Sequence, residues 1–219
     1  MRTRKRDAEL WQTKTTTMLT DRDFFLLEHS DDLLDYRAIF GNDNPVYIEI
    51  GCGKGEFISQ YSMLHPEWNF LGFEGREKRI RNILKKVSPA NNPNVRLLCL
   101  MIDSNIAQVL PPQSIQGAFI QHPDPWPKKR HHKRRLIQQD FLNALASILM
   151  PDAQLHISTD HEEYANWIAE EFLKNANFLS LHDQPIQKTP SLADHVTTWY
   201  EKDQRRQGFE PNFMLYKRI

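Results

Sequence analysis

Val46-Tyr47-Ile48-Glu49-Ile50-Gly51-Cys52-Gly53-Lys54-Gly55-Glu56-Phe57 is the stretch that decides the fold. Four of its first five residues, all but Glu49, are β-branched or aromatic, and the five read as a short strand. Three alternating glycines then permit a tight turn, and helical spacing of apolar residues runs from Glu56 to Leu64. Working outward, strands are predicted at Trp68–Glu74, Val95–Ile102, Ile115–Gln121 and Gln154–Ser158, with shorter ones at Phe178–Leu181 and Phe213–Tyr216. Helices are predicted between them at Arg76–Val87, Leu136–Leu149 (stopped by Pro151) and His161–Asn175. Before the first strand, Thr20 and Asp21 read as helix caps, followed by apolar residues at helical spacing from Leu26 to Phe40. Alternating strands and helices specify an α/β chain with a mainly parallel, seven-stranded sheet covered by helices on both faces. Ligands of such sheets bind at the carboxyl ends of the strands.

The 219 residues suit one large domain over 19–219, preceded by a polar, basic arm over 1–18. Lys plus Arg equals Asp plus Glu, but the charges are not mixed evenly. Residues 128–135 hold six Lys/Arg and no acid, and Arg2, Arg4, Lys5 and Arg6 add four more. The rest of the chain is acidic, so the cations form located patches that suit a polyanion. Cys52 and Cys99 make no disulfide framework, no Cys/His spacing for a metal occurs, and no apolar run is long enough for a membrane. The expected compartment is the cytoplasm, with no membrane or metal partner.

Residues 122–135, His-Pro-Asp-Pro-Trp-Pro-Lys-Lys-Arg-His-His-Lys-Arg-Arg, form the second informative segment. Alternating prolines predict a stiff, extended loop presenting Asp124 and Trp126 at fixed places. The Lys128–Arg135 block, including Lys128, Lys129 and Arg130, is expected to track phosphates. The Trp126 ring can stack on a base or pack against the core, and both uses fit equally. An acid, a flat aromatic and a polyanion grip point to an enzyme that acts on a nucleic acid base.

Glu56 stands where a dinucleotide fingerprint needs its third glycine, which disfavours NAD. Glu49-x-Gly51-x-Gly53-x-Gly55 resembles instead the first motif of S-adenosylmethionine-dependent methyltransferases. Glu74 ends the second strand, where an acid can accept hydrogen bonds from ribose hydroxyls. Asp103 follows the third strand on the adenine side, and Glu49 is placed to hold the methionyl ammonium. Taken with Pro123–Leu136, Thr159-Asp160 and Thr198-Trp199-Tyr200-Glu201, these residues resemble the tRNA (guanine-N7-)-methyltransferase family over roughly 45–210. The resemblance implies a Rossmann-like class I methyltransferase fold, S-adenosylmethionine as cofactor, and tRNA methylated at N7 of a variable-loop guanosine. It implies that Glu49, Glu74, Asp103 and Asp124 contact the cofactor or the reacting centre. Lys128, Asp160, Thr198, Trp199, Tyr200 and Glu201 would contact the substrate. His122 departs from the family, which usually has an apolar aromatic there. Monomer and homodimer are both compatible with the sequence. The competing reading is a non-catalytic RNA-binding subunit on a methyltransferase scaffold.

Overall fold

Every strand of the computed structural model that the glycine loop and the proline loop follow is buried on both faces, as parallel strands require. The structure describes residues 21–28 and 31–219. The predicted arm over 1–18, and its boundary with the domain, lie outside them. In chain order the elements are β1 (Leu26–Leu27), α1 (Tyr36–Phe40), β2 (Val46–Ile50), α2 (Glu56–Leu64), β3 (Asn69–Phe73), α3 (Glu77–Ile83), β4 (Val95–Leu98) and α4 (Ile106–Val109). They continue with β5 (Ile115–Gln121), a 3₁₀ helix (Lys129–Arg134), α5 (Gln139–Ile148), β6 (Leu149–Thr159), α6 (Glu162–Leu173), β7 (Phe178–Ser180), α7 (Trp199–Arg206) and β8 (Asn212–Arg218).

The strands form one sheet in the order β1-β4-β3-β2-β5-β6-β8-β7. Only β8 runs against its neighbours, wedged between β6 and β7. The class of fold is the expected one, with one strand more than expected. The addition is β1, two residues paired in parallel with Leu97 and Leu98 at the sheet edge. It breaks the long helix expected from residue 21 to 40: residues 21–25 are helical, and the chain returns to helix only in α1. Asp35 caps α1 by accepting from the Ala38 N–H, and Gly41 ends it in a left-handed conformation.

Alternate residues of β2, β3 and β4 feed opposite cores. Ile48, Ile50, Leu71 and Phe73 face α4, α5 and α6, packing with Phe141, Leu145 and Ile168. Phe70 and Leu97 face α2 and α3, packing with Phe57, Ile58, Ile80 and Ile83. Strand order reverses between β2 and β5, which pair in parallel from Tyr47↔Gly117 to Ile50↔Ile120. The carboxyl ends of these two strands therefore open a crevice at the topological switch point. The glycine loop leaves one lip of that crevice and the proline loop leaves the other.

Candidate active site

On the β2 side, Gly51, Gly53 and Gly55 all have positive φ (84°, 56° and 75°), which glycine alone adopts at little cost. The Gly51 and Cys52 N–H groups both donate to the Phe73 carbonyl, at 2.8 and 3.0 Å, and tie the turn to the end of β3. A Cβ at Gly55 would lie 2.7 Å from Ile83, whereas one at Gly51 would meet nothing within 4 Å. The loop is thus packed at its helix end and open at its strand end. Glu74 braces it from β3: one carboxylate oxygen accepts the Gly53 N–H at 3.0 Å, and the other accepts the Arg76 N–H at 2.9 Å.

Glu49, the penultimate residue of β2, is 3 % exposed, and its Oε2 has no hydrogen-bond partner among the described residues. Burial pushes its carboxyl up to about 7, with the charge of Glu74 adding, against bonds from the Cys52 thiol and the Ile58 N–H. Asp103 sits past β4 in a reciprocal turn: its carboxylate accepts the Asn105 N–H at 2.8 Å, and its own N–H donates to Asn105 Oδ1.

On the β5 side the chain does not run extended as the prolines suggested. His122 and Trp126, each preceding a proline, have φ of 49° and 43°, so Pro123-Asp124-Pro125 is bracketed by two left-handed bends. Such bends in bulky residues are held by their surroundings. The His122 N–H donates to Ser158 O on β6 at 2.8 Å. Arg135, read from sequence as part of the phosphate-tracking block, is buried beneath the elbow, with its Nε donating to the Pro125 carbonyl at 2.9 Å. Trp126 is half-buried and covered by Arg134, whose guanidinium lies 5.0 Å from the ring centroid. The remaining cations of the block, Lys128, Lys129, Arg130 and Lys133, are exposed at and along the 3₁₀ helix.

The third wall comes from β6 and α7. Asp160 follows β6 and meets His122 Nδ1 at 3.2 Å and the Tyr200 hydroxyl at 3.2 Å. Burial raises the Asp160 carboxyl, but the bonds from His122, its own backbone and Tyr200 outweigh it and hold the pKa below the usual value. Thr198 caps α7 by accepting from the Glu201 N–H at 3.2 Å. The helix is anchored across the crevice, because the Trp199 N–H donates to Glu56 and Lys54 Nζ lies 3.9 Å above the Trp199 ring. Glu201, expected at the substrate, turns away instead. It is buried, accepting from His195 Nε2 at 2.8 Å and Arg205 Nη2 at 3.1 Å.

These walls enclose two adjoining hollows. The larger, about 570 Å³, is lined by Glu74, Asp103, Trp126 and the cations Arg76, Arg79, Lys133, Arg134 and, from beneath, the buried Arg135. The smaller, about 240 Å³, is lined by Glu49, the first turns of the glycine loop, and Thr198, Trp199 and Tyr200. Gly51, Arg79, Gln121, His122 and Asp124 belong to both. Asp124 is exposed at this junction. The structure thus brings together Glu49, Glu74, Asp103, Asp124, Asp160 and Thr198–Tyr200. It leaves Lys128, Lys129 and Arg130 on the rim and Glu201 behind the wall.

Sequence reasoning missed the roles of His122, Arg135 and Glu56. Glu56 had a signal, since it broke the dinucleotide pattern. His122 had one too, as a departure from the family. Arg135 had none, because its partner Glu163 is 28 residues away. No cluster of three metal-ligating side chains occurs among the described residues, and no helix there is long and apolar enough to cross a membrane.

A family model described as "Putative methyltransferase" matches residues 43–212. The chain is 34% identical over 186 residues to a Ruegeria pomeroyi protein named tRNA (guanine-N(7)-)-methyltransferase, covering 85% of this chain and 77% of that one. A Nitrosospira multiformis protein of the same name is 38% identical over 144 residues, which span 66% of this chain and 63% of that relative. Among solved structures, the 16S rRNA methyltransferase KamB matches with a TM-score of 0.59 at 12% identity, over 89% of this chain and 98% of that one. At that identity the likeness is one of fold. The glycine loop, the proline elbow and the capped α7 all lie within the matched span, and the chain belongs to the tRNA (guanine-N7-)-methyltransferase family.

Proposed function

We propose that the protein transfers a methyl group from S-adenosylmethionine to N7 of a guanosine in the variable loop of tRNA. The observation that carries this reading is the smaller hollow, where the buried Glu49 carboxyl, with one oxygen unpartnered among the described residues, and the exposed Asp124 carboxyl at the junction line the same space. The names of the relatives supply guanine N7 and tRNA. The residues fit the cofactor: Glu49 Oε2 lacks a partner where an ammonium would give it one, and the strand end of the glycine loop is open where a ligand must approach backbone. Glu49 would hold the methionyl ammonium, the Gly51–Gly55 loop the methionyl chain, Glu74 the ribose, and Asp103 the adenine side. S-adenosylmethionine, when bound, supplies an electrophilic methyl group on a sulfonium.

Guanine N7 carries an in-plane lone pair and no proton, so the protein need not supply a general base. Alignment is the main requirement, and positioning of this kind is worth roughly 7–11 kcal/mol. Methylation places positive charge on the purine, and the Asp124 carboxylate stabilises that charge as it develops. Asp160, Thr198, Trp199 and Tyr200 form the wall against which the target nucleotide rests. Glu201 supports that wall from behind. Lys128, Lys129 and Arg130 hold phosphates on the rim.

The test is mass mapping of bulk tRNA after incubation with purified protein and S-adenosylmethionine. One added methyl on a variable-loop guanosine is expected. A methyl group at any other position, or none, overturns the reading.

A further inference from the structure

Arg135 ends a dense run of cations, and by position alone it is one more phosphate contact. Its surroundings say otherwise. The side chain is 0% exposed, while Lys133 and Arg134 beside it are open to solvent. Nε donates to the carbonyl of Pro125, the peptide oxygen one residue after Asp124, at 2.9 Å. Nη1 donates to Glu163 Oε1 at 3.1 Å, and Nη2 makes a shorter bond to Oε2 of the same carboxylate. Nη2 also lies 3.1 Å from His132 Nε2. The guanidinium rests on the rings of Tyr164 and Trp167, 5.0 and 4.8 Å from their centroids. Its contacts are therefore spent within the protein, on α6, on the 3₁₀ helix and on the elbow.

The elbow needs such a hold. His122 and Trp126 flank Asp124 with positive φ, and bulky residues keep that conformation only where neighbours impose it. Asp124 itself makes no hydrogen bond among the described residues, so its place depends on the backbone on either side. Ser158 O fixes the His122 side, and Arg135 fixes the Pro125 side. A planar fork that reaches a carbonyl, a carboxylate and an imidazole at once cannot be replaced by a single ammonium.

We infer that Arg135, clamped by Glu163, is a positioning residue that sets Asp124 for methyl transfer and makes no contact with RNA. The inference rests on the methyltransferase reading above.

The experiment compares Arg135→Lys and Glu163→Gln with the unaltered full chain. Three quantities are measured: single-turnover methyl transfer at saturating tRNA and S-adenosylmethionine, tRNA affinity across a salt series, and hydrogen exchange of the peptide covering 121–128. The expected result is a transfer rate lower by about 10- to 100-fold, the scale of a misplaced reacting group. The salt slope stays unchanged, and exchange quickens in that peptide. Glu163 is half-exposed, so Glu163→Gln gives the same reading, with a smaller loss, if Arg135→Lys does not fold. Retained transfer with a salt slope shallower by roughly 0.7–0.9 makes Arg135 a phosphate contact and overturns the inference. Wild-type values in all three measurements show that the elbow holds itself, and overturn it equally. An unaltered chain that binds tRNA but transfers no methyl overturns the methyltransferase reading instead, and the exchange comparison still judges the clamp.

Discussion

At the β2 lip of the crevice the main chain does the holding, and at the β5 lip the side chains do. Along Gly51–Gly55 the turn is built from glycines with positive φ whose N–H groups bond to the Phe73 carbonyl and the Glu74 carboxylate. Along His122–Trp126 two bulky residues take left-handed conformations, and Arg135, Asp160 and the Ser158 carbonyl hold them there. A lip made of backbone is rigid and shaped for one recurrent ligand. A lip made of long side chains from distant elements is shaped by its neighbours and can be tuned one residue at a time. The contrast predicts that changes on the β2 side act on cofactor affinity and fold stability, while those on the β5 side act on rate and RNA binding.

The largest effect is expected at Asp124. Asp124→Ala lowers turnover by about 10²-fold or more, the cost of losing one preorganised electrostatic group, and leaves tRNA affinity in place. Steady-state kinetics beside equilibrium binding check this, and near wild-type turnover removes Asp124 from the mechanism.

Next is Glu49. Glu49→Gln weakens cofactor affinity by about tenfold or more, the scale of a lost charge-assisted bond. The same variant is more stable at pH 7.5. The folded chain holds a proton on Glu49 that the unfolded chain releases between about pH 4.5 and 7, so this group lowers stability as pH rises through that window. The span is worth on the order of 3 kcal/mol. Denaturant melts at pH 4.5 and 7.5 should show the two proteins converging at the lower pH, and parallel curves would contradict the buried-acid picture.

Two glycines in the same loop sharpen the contrast further. Gly55→Ala combines a left-handed φ with a Cβ pressed on Ile83, and should cost about 3 kcal/mol of stability. Gly51→Ala meets open space, should cost only about 1–2 kcal/mol, and should impair cofactor binding more than folding. Equal melting losses with equal cofactor affinity would erase the distinction.

The smallest effect belongs to the rim. Neutralising Lys128, Lys129 and Arg130 together should flatten the salt dependence of tRNA binding by roughly 0.7–0.9 per lost phosphate contact, without changing turnover at saturation. An unchanged slope places the RNA elsewhere.

How much of this was legible varied with how local each interaction is. The helix Glu56–Leu64 and the strand Ile115–Gln121 have the predicted bounds, because periodicity and flanking glycine or proline residues mark both ends. The helix Trp199–Arg206 was not predicted, since it has no apolar stripe: its one buried residue is Glu201, and it is held by the Thr198 cap and by Glu56. The strand Leu149–Thr159 begins earlier than expected, passing through Pro151 and through Asp152 at φ 65°, two signals that read as a break. At the site, the carboxylates at the strand ends were readable from order along the chain. The burial of Arg135 and the inward turn of Glu201 depend on Glu163 and His195, partners that no local pattern announces.

Lys54 of the glycine loop and Glu56, the first residue of the helix it opens, grip Trp199 at the opposite wall. A molecule settling on that loop and a polynucleotide settling on that wall therefore press on one shared strut. Thermodynamic cycles then require symmetry: the factor by which the small ligand alters affinity for the large one equals the factor in reverse. Measuring either ratio fixes the other, and cutting the strut with Glu56→Gln should drive both toward unity together.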